Sequence, residues 1–242
     1  SNRDSFLVGI AIRCANWANR WFPDSWVFAA LTVIAVSLGA LLIGGSPKDI
    51  ANAFGNGFWT LIPFTMQMAF VVIGGYVVAS SPPVMSLIEK LAKLPRNGKI
   101  AVAFVALISM CTSLLNWGLS IVFAGLLVKA LARRTDLNMD YRAAGAAAYL
   151  GLGAVWALGL SSSAAQMQAN AASLPPSILT ITGVIPFTQT IFLWQSCILL
   201  LAIMIVSLFV AYLSAPGASN AKDAAQCGVD ISQIKQKSFE QS

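Results

Sequence analysis

The sequence predicts an all-α integral membrane protein, and its composition and charge distribution both support that fold class. Of its 242 residues, 57% are hydrophobic and only 10% are charged, and the mean hydropathy is +0.75. Soluble domains usually contain about 25% charged residues. The charges are also unevenly spread, because none occurs from Ile100 to Val128 or from Ala143 to Ala221. A soluble surface cannot be built from such long uncharged stretches, which indicates that they lie in a membrane.

Several classes of function are excluded by residues that the sequence lacks. There is no His, and no Asp or Glu falls within an apolar stretch. A His-dependent hydrolase, a zinc site or a paired-carboxylate glycosidase therefore has no residues to use, and we expect neither an enzyme nor a cofactor. Basic cytoplasmic loops explain the net charge of +6. The sequence lacks the combined basic and aromatic surface that is typical of nucleic-acid binding. Four widely separated cysteines predict no disulfide framework and no metal site: Cys14, Cys111, Cys197 and Cys227.

Residues 1–22 predict an amphipathic helix that lies in the cytoplasmic membrane interface. Trp17 and Trp21 fall on one helical face, whereas Arg13 and Arg20 fall on another. Tryptophan is typical of headgroup depth, and arginine is attracted to anionic lipid. This segment is too polar to span the membrane, so we expect it to lie on the surface.

Residues 23–213 are expected to form the membrane domain. The apolar run from Trp26 to Ile43 would measure about 27 Å as a helix, close to the thickness of a bilayer core of about 30 Å. We interpret it as an uncleaved first span, because its apolar core is too long for a secretory signal. The expected spans cover about residues 26–43, 57–79, 143–160 and 191–213, with a hairpin at residues 100–131 and a polar tail or inter-repeat linker at residues 214–242.

The distribution of basic residues predicts a cytoplasmic N-terminus for a multi-pass protein. The N-terminal segment carries Arg13 and Arg20, whereas the first loop carries only Lys48, offset by Asp49. The polar segment at residues 90–99 is again rich in Lys and Arg. Cytoplasmic loops are enriched in these two residue types, so both basic segments are placed on the cytoplasmic side.

The uncharged stretch at residues 100–131 predicts a re-entrant helical hairpin. A polar break at residues 112–118 divides it into two apolar arms, and both outer ends are basic. Each arm has about 12 residues, or about 18 Å of helix, which is too short for two full spans. A single tilted helix would instead place basic clusters on both membrane faces. A hairpin with its tip near the bilayer centre satisfies both constraints, because irregular backbone at that depth must line a cavity or be buried in protein.

The tip of this hairpin carries the first candidate substrate-binding residues. The second arm begins here, and its N-terminus offers unpaired N–H groups and a positive dipole end to an anion. Ser113 and Asn116 can add hydrogen bonds, and Gly118 allows close backbone approach. The alternative is that Asn116 only caps the helix and Gly118 only makes the turn. Without a fixed cation, such a site suits one carboxylate better than two, which favours a small monocarboxylate.

A second cluster of hydroxyl groups follows the span at residues 143–160. Ser161, Ser162 and Ser163 can belong to an unwound helix that lines the same cavity, although an ordinary extracellular loop explains them equally well. Gln67, in the middle of the second span, is a further candidate, but such amides more often bond neighbouring helices. We expect the hairpin tip to meet the three serines near the bilayer centre.

Several short segments carry a family resemblance: residues 19–24, 57–59, 64–69, 79–81, 116–118 and 132–134. With these segments in this order, the chain resembles the short-chain fatty acid transporter family, the bacterial carriers of acetoacetate and butyrate. The resemblance implies a secondary transporter that moves short-chain monocarboxylates across the bacterial inner membrane. It also implies a fold of two inverted halves, of which this sequence matches the N-terminal one.

The resemblance also implies a partner, because members of the family are about twice as long as this sequence. The site between the halves would need a second transporter half or a homo-oligomer, and the charge bias opposes a copy in the opposite orientation. The possible coupling ions are Na⁺ and H⁺. No acidic residue lies in a span to relay a proton, whereas carbonyl and hydroxyl oxygens can bind Na⁺. This half of the carrier therefore favours Na⁺ as the coupling ion, although a missing half could reverse that preference. Alternatives are a dicarboxylate or other organic-anion carrier of the same architecture, and a non-transporting membrane subunit or anchor.

Overall fold

The computed structural model describes residues 6–174 and 176–231. Within these residues the chain is helical and contains no β-strand, which confirms the all-α class. The α-helices of the described residues are Phe6–Trp21 (α1), Ser25–Leu42 (α2), Pro47–Thr60 (α3), Ile62–Ala79 (α4), Pro82–Ala92 (α5), Gly98–Leu115 (α6), Trp117–Ala132 (α7), Tyr141–Leu150 (α8), Ser163–Gln168 (α9), Pro176–Thr182 (α10) and Trp194–Ser214 (α11).

The described residues divide into two compact units. Residues 9–71 form one, called here the N-terminal unit, and residues 6–8 and 72–231 form the other, called the hairpin unit. In the N-terminal unit α2 begins where Asp24 caps it, since the amide of Trp26 donates to Asp24 Oδ1 at 3.0 Å. The helix α2 buries none of its residues. Its uniformly apolar surface is that of a helix made to face lipid.

Several helices are long and apolar enough to cross a membrane. Among the described residues four segments meet this criterion by length and composition: Ser25–Leu42, Gly98–Leu115, Tyr141–Gln168 and Trp194–Ser214. A fifth is added if Thr65–Ala79 and Pro82–Ala92, which are bent by 71° at their junction, count as one span. The chain is therefore a multi-pass membrane protein. The expected second span at residues 57–79 is divided at Leu61 between α3 and α4, which places Pro63 in the first turn of α4, where its missing N–H is tolerated.

The helices α6 and α7 form the predicted hairpin, but its arms are longer than expected. They contain 18 and 16 residues instead of about 12, and only Asn116 separates them. The break expected at residues 112–118 is wrong in its length, because it is reduced to Asn116. The polar side chains before Asn116 form hydrogen bonds while their backbone remains helical. The Thr112 hydroxyl donates to Ile108 O at 2.8 Å, and the Ser113 hydroxyl donates to Gly151 O at 2.7 Å. At 18 residues α6 meets the length criterion for a span by itself.

The core of the hairpin unit surrounds α6. Helices α7, α8 and α11 pack against it, α5 packs against α7, and small residues line the contacts. Ala101, Val102, Val105 and Ala106 are all essentially inaccessible to solvent. Small side chains allow membrane helices to approach closely, and such contacts replace the hydrophobic driving force that lipid removes.

The segment at residues 215–231 docks against the connection between α7 and α8. The amide of Tyr141 donates to Lys222 O at 2.8 Å, and the amide of Lys222 donates to Asp140 Oδ2 at 3.0 Å. The tail predicted at residues 214–242 therefore packs on the hairpin unit at Lys222, and the structure describes it as far as residue 231. Its remainder, like residues 1–5 of the predicted interfacial segment, lies outside the described residues.

Candidate functional site

Two breaks in helical structure meet within the hairpin unit. One is Asn116, between α6 and α7, and the other is the irregular chain between the 3₁₀ turn Trp156–Leu158 and α9. The amide of Trp117 donates to Ser161 Oγ at 2.9 Å, and the amide of Leu160 donates to Leu114 O at 2.8 Å. The predicted meeting of the hairpin tip with the serines at residues 161–163 is thus present for Ser161.

Gly159 allows the two breaks to approach this closely. A Cβ atom on Gly159 would lie 2.9 Å from Leu114 Cα and 2.9 Å from Ser113 O. Both distances are shorter than van der Waals contact, and both neighbours are backbone atoms that cannot rotate away. The absence of a side chain is therefore what permits the Leu160–Leu114 hydrogen bond.

Asn116 acts as the N-cap of α7 and also presents an amide group. Its Oδ1 accepts a hydrogen bond from Leu119 N at 2.9 Å, and its main-chain oxygen accepts one from Ser120 N. Among the described residues, none accepts a hydrogen bond from its Nδ2 group, and its side chain is half-buried. Capping and donation to a ligand are therefore compatible, because they use different atoms of one amide.

Gly118 lies buried at the first turn of α7, where Gly75 of α4 packs against it. A Cβ atom on Gly75 would lie 2.7 Å from Leu119 N and 2.8 Å from the carbonyl carbon of Gly118. The Gly118 amide has no hydrogen-bond partner among the described residues. Within the part of the chain that the structure describes, the first turn of α7 thus keeps one unpaired donor, while Ser161 and Asn116 accept from the amides of Trp117 and Leu119.

The other candidate residues are placed differently. Ser113 is fully buried and bonded to Gly151, and Ser162 caps α9 by accepting from Ala165 N at 3.2 Å. Ser163 is the first residue of α9 and is half-buried. Gln67 belongs to the N-terminal unit, where its side chain is exposed on α4. The structure therefore brings Asn116, Gly118 and Ser161 to one place, whereas Ser113 contacts the span behind them.

Sequence reasoning missed a buried polar cluster beside the tip. Ser109 and Ser120 face each other across the hairpin, with their hydroxyl oxygens 3.4 Å apart, and both contact Gly151. The spacing of Ser109 and Ser113, four residues apart on one face of α6, is the signal that could have found them. The participation of Gly151 has no such signal, because it depends on a π-helical turn at Gly151–Val155.

Charged groups gather at the opposite end of the hairpin from the tip. Arg134 pairs with Asp136 at 2.6 Å, and Arg142 pairs with Asp140 at 2.7 Å. Burial alone would raise the pKa of Asp140, but hydrogen bonds from Arg142, Ala143 N and Lys222 N outweigh it and hold that pKa below its ordinary value. Asp140 is therefore ionised at neutral pH and fixes both the start of α8 and the docked segment.

These features define a helical membrane protein in which a hairpin packs against an interrupted span, with uncharged polar groups where they meet. The chain belongs to the short chain fatty acid transporter family, whose model matches residues 6–241. It is accordingly a member of a transporter family and not an enzyme.

Two relatives support this membership, and both are named as short-chain fatty acid transporters. The chain is 32% identical over 208 residues to a protein of Haemophilus influenzae, covering 83% of this chain and 45% of the relative. It is 30% identical over 205 residues to a protein of Escherichia coli K12, covering 84% and 46%. The chain thus spans about half the length of these relatives. No solved structure matches it significantly.

Proposed function

We propose that this chain is part of a secondary transporter that carries short-chain monocarboxylates, such as butyrate and acetoacetate, across the bacterial inner membrane. The observation that supports this most is the contact between Asn116–Trp117 and Ser161. It joins two helix breaks in a region without charged side chains. Family membership and the names of both relatives support the same substrate class.

The carboxylate would bind at the first turn of α7. Asn116 Nδ2 and the Gly118 amide are donors without a partner among residues 6–174 and 176–231, and the Trp117 amide becomes a third if Ser161 turns away from it. A carboxylate accepts a stronger hydrogen bond than a neutral hydroxyl, so it can displace Ser161 Oγ. The freed Ser161 hydroxyl then donates to the substrate, and the neighbouring Ser162 and Ser163 extend the polar surface.

The complete carrier would contain a second half or a second copy of this chain, with the substrate between them and access alternating between the two membrane faces. The basic segments support a cytoplasmic N-terminus. For coupling we propose Na⁺ in preference to H⁺, because no Asp, Glu or His lies in the apolar stretches of the sequence to relay a proton.

The direct test is uptake of labelled butyrate into vesicles that contain the chain, with and without a Na⁺ gradient. Asn116→Ser retains a capping oxygen but removes the amide donor. Loss of one hydrogen bond to a charged group is worth about 1.5–3 kcal/mol, so the KM should rise by about 10- to 100-fold. Asn97→Ser is the matched control, because Asn97 caps the other end of the hairpin by accepting from Ile100 N at 2.9 Å.

Two results would contradict the proposal. An unchanged KM in Asn116→Ser would remove this residue from the site. Succinate that competes as strongly as butyrate would favour the dicarboxylate alternative, because a second carboxylate has no cation to meet at this position.

A further inference from the structure

The hairpin and the interrupted span are joined by three buried hydroxyl groups, called here the serine cluster: Ser109, Ser113 and Ser120. All three residues have 0% exposure. Ser109 Oγ donates to Ala148 O and accepts from Gly151 N at 3.0 Å, and Ser113 Oγ donates to Gly151 O at 2.7 Å. Two serines of α6 therefore satisfy main-chain groups of another helix.

A change in helix type explains why those main-chain groups need partners. The α-helix α8 ends at Leu150, and the next turn, Gly151–Val155, is π-helical. Such a change of register interrupts the regular main-chain hydrogen bonds and leaves donors and acceptors without helical partners. In a membrane no water replaces them, so unpaired groups are strongly unfavourable. The hydroxyl groups of α6 take over that role at Ala148 and Gly151.

The second arm of the hairpin contributes to the same cluster. Ser120 of α7 donates to the main-chain oxygen of Ser109 at 2.7 Å. A Cβ atom on Gly151 would lie 2.5 Å from Ser120 Oγ and 2.6 Å from Ser109 Oγ. Both arms and the span thus meet in one close contact, and that contact allows only one register between them.

This register also sets the position of Ser161. Nine residues lie between Gly151 and Ser161, and this segment runs along the hairpin to its tip, where the Leu160 amide donates to Leu114 O. A shift at Gly151 would withdraw Ser161 from Trp117 N.

We infer that Ser109, Ser113 and Ser120 are positioning residues that hold the hairpin and the interrupted span together as one body, with Ser161 at the tip. This inference rests on the proposed function for its role in transport, and it assigns Ser113 to positioning and not to substrate contact.

The first test needs no substrate. Amide hydrogen exchange is measured on the full chain in lipid nanodiscs, for peptides covering residues 114–120 and 158–163. In Ser109→Ala and in Ser113→Ala both peptides should exchange about tenfold faster, because loss of the cluster frees the amides of Trp117 and Leu160. Thr112→Val is the matched control, since the Thr112 hydroxyl bonds only carbonyls of its own helix, Ile108 O and Ser109 O.

Unchanged exchange in both serine variants would overturn the inference, and so would equal acceleration by Thr112→Val. If Ser109→Ala fails to insert, Ser113→Ala carries the test alone, because it removes a single hydrogen bond. This readout remains valid even if the protein does not transport butyrate.

The second test separates positioning from general damage by measuring butyrate uptake. Ser109→Ala should raise the KM several-fold while leaving the maximal rate per inserted molecule nearly unchanged. In the double variant with Ser161→Ala, the KM should equal that of Ser161→Ala alone, because Ser109 acts through Ser161. Fully multiplicative effects of the two substitutions would contradict this route.

Discussion

Gly75 offers a sharp test of the packing at the hairpin tip, because its neighbour Gly74 provides a control on the same helix. A methyl group on Gly75 would lie 2.7 Å from Leu119 N, well inside the 3.4 Å at which ordinary contact begins. A methyl group on Gly74 would meet nothing within 4 Å. Both Gly→Ala changes bring the same helix-propensity gain of up to about 1 kcal/mol. Overpacking at Gly75 costs about 1–3 kcal/mol, and the propensity gain is common to both variants. The free energy of unfolding of Gly75→Ala should therefore be lower than that of Gly74→Ala by about 1–3 kcal/mol.

The assay is thermal unfolding of the two purified variants and the parent in one detergent, followed by butyrate uptake. Gly74→Ala should unfold at or slightly above the parent's midpoint, and Gly75→Ala should unfold below it. Uptake should also fall in Gly75→Ala alone, because the backbone that must retreat belongs to Gly118 and Leu119. Equal midpoints for the two variants would refute the close contact between α4 and α7.

Three further predictions concern the loop regions of the hairpin unit. Asp140→Asn keeps an oxygen that can cap α8, but it loses the ion pair with Arg142 and weakens docking of the segment around Lys222. Trypsin should therefore cleave after Lys222 faster than in the parent protein. The control Asp136→Asn loses only the ion pair with Arg134 and should leave the cleavage rate unchanged. Because the folded-state pKa of Asp140 is lowered, its contribution is complete above pH 3.8 and is lost only as the pH falls through the lowered value. Amide exchange at residues 220–224 should therefore show no added opening between pH 7 and pH 5, and opening in that interval would contradict the assignment. Gly159→Ala should destabilise by about 1–3 kcal/mol, whereas Gly153→Ala, whose nearest neighbour would be a Tyr149 ring atom at 3.4 Å, should have little effect in the same unfolding assay.

Composition and local signals predicted much of the architecture. Uncharged apolar runs identified the membrane class, and the polar residues around Asn116 located the turn of the hairpin. These signals are local, since capping and burial depend on residues a few positions apart. The predicted length of the hairpin arms, about 12 residues each, was wrong because it also depended on local sequence alone. Polar residues such as Thr112 and Ser113 resemble a break in sequence, but they remain helical when a carbonyl accepts their hydroxyl groups.

The remaining features depend on residues that are distant in sequence. The π-helical turn at Gly151 is stabilised by Ser109, 42 residues away, and the docked segment is held by Asp140, 82 residues from Lys222. No local propensity encodes such pairs, because each half is unremarkable without the other. The packing of Gly75 on Gly118 is equally invisible, since one glycine in an apolar helix has many explanations.

The central claim is that the carboxylate binds where the hairpin tip meets the interrupted span. The most direct measurement is amide hydrogen exchange of the chain in nanodiscs across a series of butyrate concentrations, with butanol as the uncharged control of equal length. Butyrate should protect residues 114–120 and 158–163 saturably, while butanol leaves them unchanged. Saturable butyrate uptake without protection of these residues, or equal protection by butanol, would contradict the site.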